Sequence, residues 1–194
     1  MINNIKSNKK RLIIGMSGAS GAILGIELLK ALKINHDYES HLVMTKGAEE
    51  TIQIETKYKV REVLELADKV YDIKHIGESI ASGTFRTEGM IIVPCSMKTV
   101  AGIASGYSEN LLLRAADVTI KEGRRLVVVA RETPLSTIHL RNMVTLAETG
   151  AIIIPPMITY YINPLSLDDM NRHIIGKILD RFEIEIDGFN RWSS

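Results

Sequence analysis

The stretch RLIIGMSGASGA, residues 11–22, decides the fold. Its first half is an apolar run too short for a buried helix, and its second half is a turn of glycine, serine and alanine. Behind it, residues 22–33 place Ile23, Ile26, Leu29 and Leu32 near helical spacing. The reading is buried strand, tight turn, helix. Gly15, Gly18 and Gly21 are each three apart, which is neither GxGxxG nor a Walker A loop, and no GxSxG elbow is present. Small residues here allow close approach to the backbone, and the first helical N–H groups are offered to a phosphate. The same residues serve equally well as a plain turn.

Working outward, the alternation continues. Strands are expected at 40–45, 70–73, 89–94, 125–130 and 151–154, the last as a core strand. Helices are expected at 48–54, 61–67, 98–104, 109–122, 136–148 and 166–182, the last capped by Ser166 with Asp168 and Asp169 in its first turn. The strands are rich in Val and Ile and lack a polar face, as in a parallel sheet covered by helices on both sides. With no repeat or linker, the expectation is one three-layer α/β domain with a mostly parallel sheet over residues 11–194, ending in a helix and tail. Residues 1–10 are expected to be a disordered arm.

The chain has 194 residues, a formal net charge of +1 and a single cysteine. So even a charge argues against nucleic-acid binding. One cysteine excludes an intrachain disulfide framework, and Cys95 is expected to be a small buried residue. The longest apolar stretch, 151–158, is interrupted by Pro155 and Pro156, so no membrane span is expected. The polar, basic segment MINNIKSNKK is no secretory signal, which makes the cytoplasm the default compartment. The histidines at 36, 41, 75, 139 and 173 show no HExxH or paired spacing, and DDMNR is not a DDxxD motif. No metal is expected.

Ligands of an open parallel sheet bind beyond the carboxyl ends of its strands. There the sequence sets SGASGA, Thr45-Lys46-Gly47, PCSMKT, RETP and PPMITYY. PCSMKT offers Ser96, Lys98 and Thr99 at a helix start, suited to an anion or a flavin edge, although Ser96 as a simple N-cap explains it too. Arg114, Asp117 and Lys121 share a helix face, as do His173, Lys177 and Arg181. Solvated, salt-bridged faces are the simplest account of both sets.

Taken in order, RLIIGMSGASGA, ASGTFRTEGMIIVPCSMKT, LLLRAADVTIKEGRRLVVVARETPLSTIHLRNM and GAIIIPPMITYY closely resemble the UbiX/Pad family of flavin prenyltransferases, some of which are known as component subunits of phenolic-acid decarboxylases. The likeness runs from about residue 11 to residue 192. It implies a Rossmann-like or flavodoxin-like fold, a homododecamer, and the joining of the dimethylallyl group of dimethylallyl phosphate to N5 and C6 of reduced FMN without a metal. Prenylated FMN would pass to a UbiD-type decarboxylase.

By this resemblance FMN would meet Gly18, Ala19, Ser20, Thr45, Ser96, Met97, Lys98, Thr99 and Arg131. Thr45 stands where a serine is more usual and keeps its hydroxyl. The prenyl phosphate would meet Arg114, Lys121, Tyr161 and Lys177. Lys177 stands where arginine is common and lacks the bidentate fork. Ser20, Glu55 and Glu132 would take part in the chemistry, and Trp192 would close over the prenyl group. Two other readings compete. One is a flavoprotein that oxidatively decarboxylates a cysteine-terminated substrate, disfavoured because PCSMKT lacks an Asn. The other is a non-catalytic subunit that carries flavin to a decarboxylase.

Overall fold

The computed structural model describes residues 9–189 and Arg191. The expected arm therefore falls largely outside the described residues, and its last residue, Lys10, opens the first strand. Trp192 also lies outside them.

Among the described residues six strands form one sheet: β1 (Lys10–Met16), β2 (Tyr38–Met44), β3 (Lys69–Tyr71), β4 (Gly89–Cys95), β5 (Arg125–Ala130) and β6 (Ile152–Ile153). All pair in parallel, in the order β3-β2-β1-β4-β5-β6. The helices are α1 (Ala22–Ile34), α2 (Lys46–Glu55), α3 (Val60–Leu64), α4 (Met97–Ala104), α5 (Leu111–Lys121), α6 (Thr137–Glu148) and α7 (Leu167–Leu179). The expected three-layer architecture is present, and every expected strand and helix has a counterpart within a few residues. Strand β6 departs from expectation: it is a two-residue edge strand whose isoleucines are half-buried.

Successive side chains of a strand point to opposite faces, and the chain uses both. Leu12, Ile14, Leu42, Ile91, Val127 and Val129 pack under α1, α2, α3 and α7. Ile13, Val43, Met90, Ile92, Leu126 and Val128 pack under α4, α5 and α6. Each such side chain stabilises the fold by about 1.5–3 kcal/mol through burial. Helix α1 lies unusually close to the sheet: a Cβ on Gly25 would sit 2.6 Å from both the Met16 side chain and the Val93 carbonyl oxygen. No helix among the described residues is long and apolar enough to cross a membrane.

The chain winds outward from β1 to β3, then returns to lay β4 on the other side of β1. The connections leaving β1 and β4 diverge, and a crevice opens at that switch point.

Candidate functional site

Ser17, the residue after β1, ties the two sides of this crevice together. It is only 1% exposed. Its Oγ accepts the Ser96 N–H at 2.8 Å, and its own N–H donates to the Pro94 carbonyl at 3.1 Å. Ser96 then caps α4, its Oγ accepting the Thr99 N–H at 3.3 Å and lying 3.2 Å from the Thr99 hydroxyl. Thr45 does the same for α2, accepting the Ala48 N–H at 3.2 Å. The turns after β1 and β2 touch: a Cβ on Gly18 would lie 3.0 Å from Gly47 backbone atoms. A side chain there would force the two turns apart by a few tenths of an ångström.

These loops frame a cleft of about 740 Å³ on the α4–α5 side of the sheet, within the usual range for a small-molecule site. Ser17, Gly18, Thr45, Ser96, Lys98 and Thr99 rim it, with Asn110, Leu112 and Asn142 across from them. Met97 is buried in the core, so its side chain faces away and only its backbone is available. Ser17 and Gly47 lie in the expected post-strand segments but were not assigned as flavin contacts, and Asn110 and Asn142 were not expected as lining. Ser17 was legible as a hydroxyl at a strand end and Asn110 as a capping residue, its Oδ1 accepting the Leu113 N–H at 3.0 Å, whereas Asn142 lies on α6 with no local pattern to mark it.

On the other side of the switch point the first amides of α1 are already taken. The Glu55 carboxylate, at the end of α2, accepts the N–H of Gly21 at 2.8 Å and that of Ala22 at 3.1 Å. Partial burial alone would raise its pKa. The Ser20 hydroxyl, the two amides and the Arg131 charge outweigh that and hold it below the usual carboxylate range. Ser20, Glu55 and Arg131 are thus gathered, and the amides that the sequence offers to a phosphate serve a carboxylate. Glu132 is exposed beyond β5, accepting the Thr133 N–H at 3.1 Å. Cys95 is fully buried, and burial pushes its thiol far above the usual range despite a hydrogen bond from Ser17.

The four residues expected at the prenyl phosphate do not meet within one chain. Tyr161 and Lys177 line a cleft of about 420 Å³ beside α7, with Arg181 and Arg191, both paired to Asp180. Arg114 and Lys121 lie on α5, in the opposite layer. Arg114 donates to Asp117 at 2.6 Å, as its spacing predicts, but Lys121 pairs with Glu122 at 2.6 Å instead. The face of His173, Lys177 and Arg181 is not uniformly solvated: His173 is buried.

A nucleotide-type crevice with a hydroxyl rim at the switch point of a doubly wound sheet defines a flavoprotein-like α/β fold, and residues 2–180 match the family model described as Flavoprotein. The flavin prenyltransferase UbiX of Escherichia coli (strain K12) is 50% identical over 185 residues, 94% of this chain and 98% of that protein. The crystal structure of AnUbiX (PadA1) in complex with FMN and dimethylallyl pyrophosphate superposes with a TM-score of 0.94 at 48% identity, covering 96% of this chain and 98% of that one. The dodecameric FMN-dependent UbiX-like decarboxylase from Escherichia coli O157:H7 gives 0.93 at 49% identity, covering 95% and 100%. The chain belongs to the UbiX-like flavin prenyltransferase family. It is a transferase, and the reading as a non-catalytic flavin carrier gives way.

Proposed function

We propose that this chain joins the dimethylallyl group of dimethylallyl phosphate to N5 and C6 of reduced FMN, and that residues 11–194 act as one flavoprotein domain. The observation that carries the reading is the glycine-floored, hydroxyl-rimmed cleft at the β1–β4 switch point. FMN fits this donor set. Gly18, Ala19 and Ser20 leave the backbone open to a flat ring, and Thr45, Ser96, Met97, Lys98 and Thr99 supply hydroxyls, amides and a cation at two helix N-termini. Arg131 adds charge beside Ser20 and Glu55. When bound, reduced FMN supplies the nucleophilic N5 and C6.

Glu55 orients Ser20 toward the N5 region. Tyr161, Lys177, Arg114 and Lys121 hold the leaving phosphate by charged hydrogen bonds, so that no metal is needed. Glu132 assists removal of the C6 proton, with the released phosphate as the main base, and Trp192 closes the site. Because Tyr161 and Lys177 lie on the opposite side of the sheet from Arg114 and Lys121, the complete set requires another copy. Exposed apolar residues support such assembly: Ile138 and Val144 on α6, and Met157, Ile158 and Tyr160 in the segment after β6. A homododecamer like that of the E. coli O157:H7 protein is the proposed form. The proposed setting is the cytoplasm, with a UbiD-type decarboxylase receiving the product.

Anaerobic incubation with reduced FMN and dimethylallyl phosphate tests the reading. The expected product is a flavin heavier by one prenyl unit, and an unchanged flavin mass would overturn it.

A further inference from the structure

His173 lies in the second turn of α7 and is only 3% exposed. Its imidazole is enclosed by aromatic rings. Tyr161 meets it edge to face, with centroids 5.7 Å apart at 87°, and Phe189 lies 5.5 Å away at 45°. Nε2 approaches the Tyr161 hydroxyl at 3.4 Å. One turn further along α7, Lys177 opens onto the same cleft as Tyr161 and His173. Burial, and secondarily the charge of Lys177, hold the imidazole below the usual histidine range, so it stays neutral beside the anion site.

A phenol has one proton. If Nε2 accepts it, the hydroxyl has nothing to donate to a phosphate. If Nε2 carries the ring proton and donates, the hydroxyl keeps its proton for the ligand, and each bond strengthens the other. An arriving phosphate dianion selects the second arrangement.

We propose that His173 is a positioning residue for the leaving phosphate, its Nε2–H donating to the Tyr161 oxygen so that the Tyr161 hydroxyl is aimed at the phosphate. This rests on the reading of Tyr161 as a phosphate ligand. In this role His173 acts through Tyr161 and not on the reacting atoms.

The test is a double-mutant cycle with dimethylallyl phosphate as the varied substrate and reduced FMN saturating. His173→Phe keeps the ring packing and removes the donor. It should raise KM for dimethylallyl phosphate about fivefold, the worth of one ordinary hydrogen bond, with kcat within about twofold. In a Tyr161→Phe background the same change should add nothing. His173→Gln, which carries an amide nitrogen near the Nε2 position, should restore the wild-type KM. FMN binding, read at the cleft on the other face of the sheet, reports that each variant is folded. If the Phe variant fails that check, His173→Asn, whose amide stops short of Nε2, replaces it in the cycle.

Equal losses from His173→Phe in both backgrounds, or a Gln variant as impaired as the Phe variant, would overturn the inference alone. An unchanged KM in Tyr161→Phe would instead remove Tyr161 from the phosphate site, and the inference with it.

Discussion

The Glu55 carboxylate, at the last residue of α2, caps the first amides of α1 through Gly21 at 2.8 Å. One acidic side chain thereby closes the glycine turn after β1 and holds the Ser20 hydroxyl. Its pKa is depressed in the folded chain. The stability it contributes is complete above the ordinary carboxylate value of 4.5 and is lost as pH falls below that value through the folded one. Glu55→Gln keeps the shape and removes the charge. It should flatten this acid limb of the melting temperature against pH, and cut turnover at least tenfold at neutral pH with FMN still bound. An acid limb identical to wild type would refute the capping role.

Gly18 and Gly47 pack so closely that a Cβ on either would lie 3.0–3.2 Å from the backbone of the other. Gly18→Ala should push the turns after β1 and β2 apart, at a cost of about 1–3 kcal/mol spread between stability and binding. Isothermal titration should show FMN affinity reduced by tenfold or more. Undiminished affinity would mean that the two turns do not frame the flavin.

Lys121 and Lys177 lie in opposite layers of the fold. Lys121→Ala and Lys177→Ala should each raise KM for dimethylallyl phosphate by roughly 10- to 100-fold, the worth of a charged hydrogen bond. If the two residues meet only across subunits, dissociating and reassembling the two impaired variants together should regain part of the lost affinity for dimethylallyl phosphate. No regain, in mixtures shown by mass to be hybrid, would place both residues in sites built from one chain.

Gly25 packs against the Val93 carbonyl, which cannot move without disturbing β4. Gly25→Ala should destabilise the protein by about 1–3 kcal/mol despite alanine's better helix propensity, read as a lower urea midpoint. A stabilised variant would mean that α1 can lift from the sheet without cost.

The fold is readable because β1, β4 and β5 are short runs rich in Val, Ile or Leu between turn residues, and among the described residues five of the seven helices carry a side-chain cap written into the sequence, as Ser96 and Ser166 do. Strand β6 is shorter than its sequence suggests because an apolar run does not say whether it ends at a sheet edge. The post-strand loops are recognisable as a site because topology brings them together whatever their details. The partner of the α1 amides is not legible, since Glu55 is 34 residues from Gly21 in sequence. Nor is the burial of His173: helical periodicity puts it beside Lys177, and it is covered by rings from elsewhere in the chain, Tyr161 before α7 and Phe189 after it. The division of the four phosphate residues between two layers is invisible to any reading that takes motifs one at a time.

The sheet sorts neighbouring residues of each strand into separate cores, with Val127 and Val129 on one side and Val128 on the other. Drift in one layer is thereby insulated from the other. The cleft beside α4 and α5 and the cleft beside α7 can be retuned by different substitutions, because the strand side chains packed beneath one layer are not those packed beneath the other. A substitution beside α7, such as one at Lys177, can therefore change that cleft while the layer of α4 and α5 keeps its own packing.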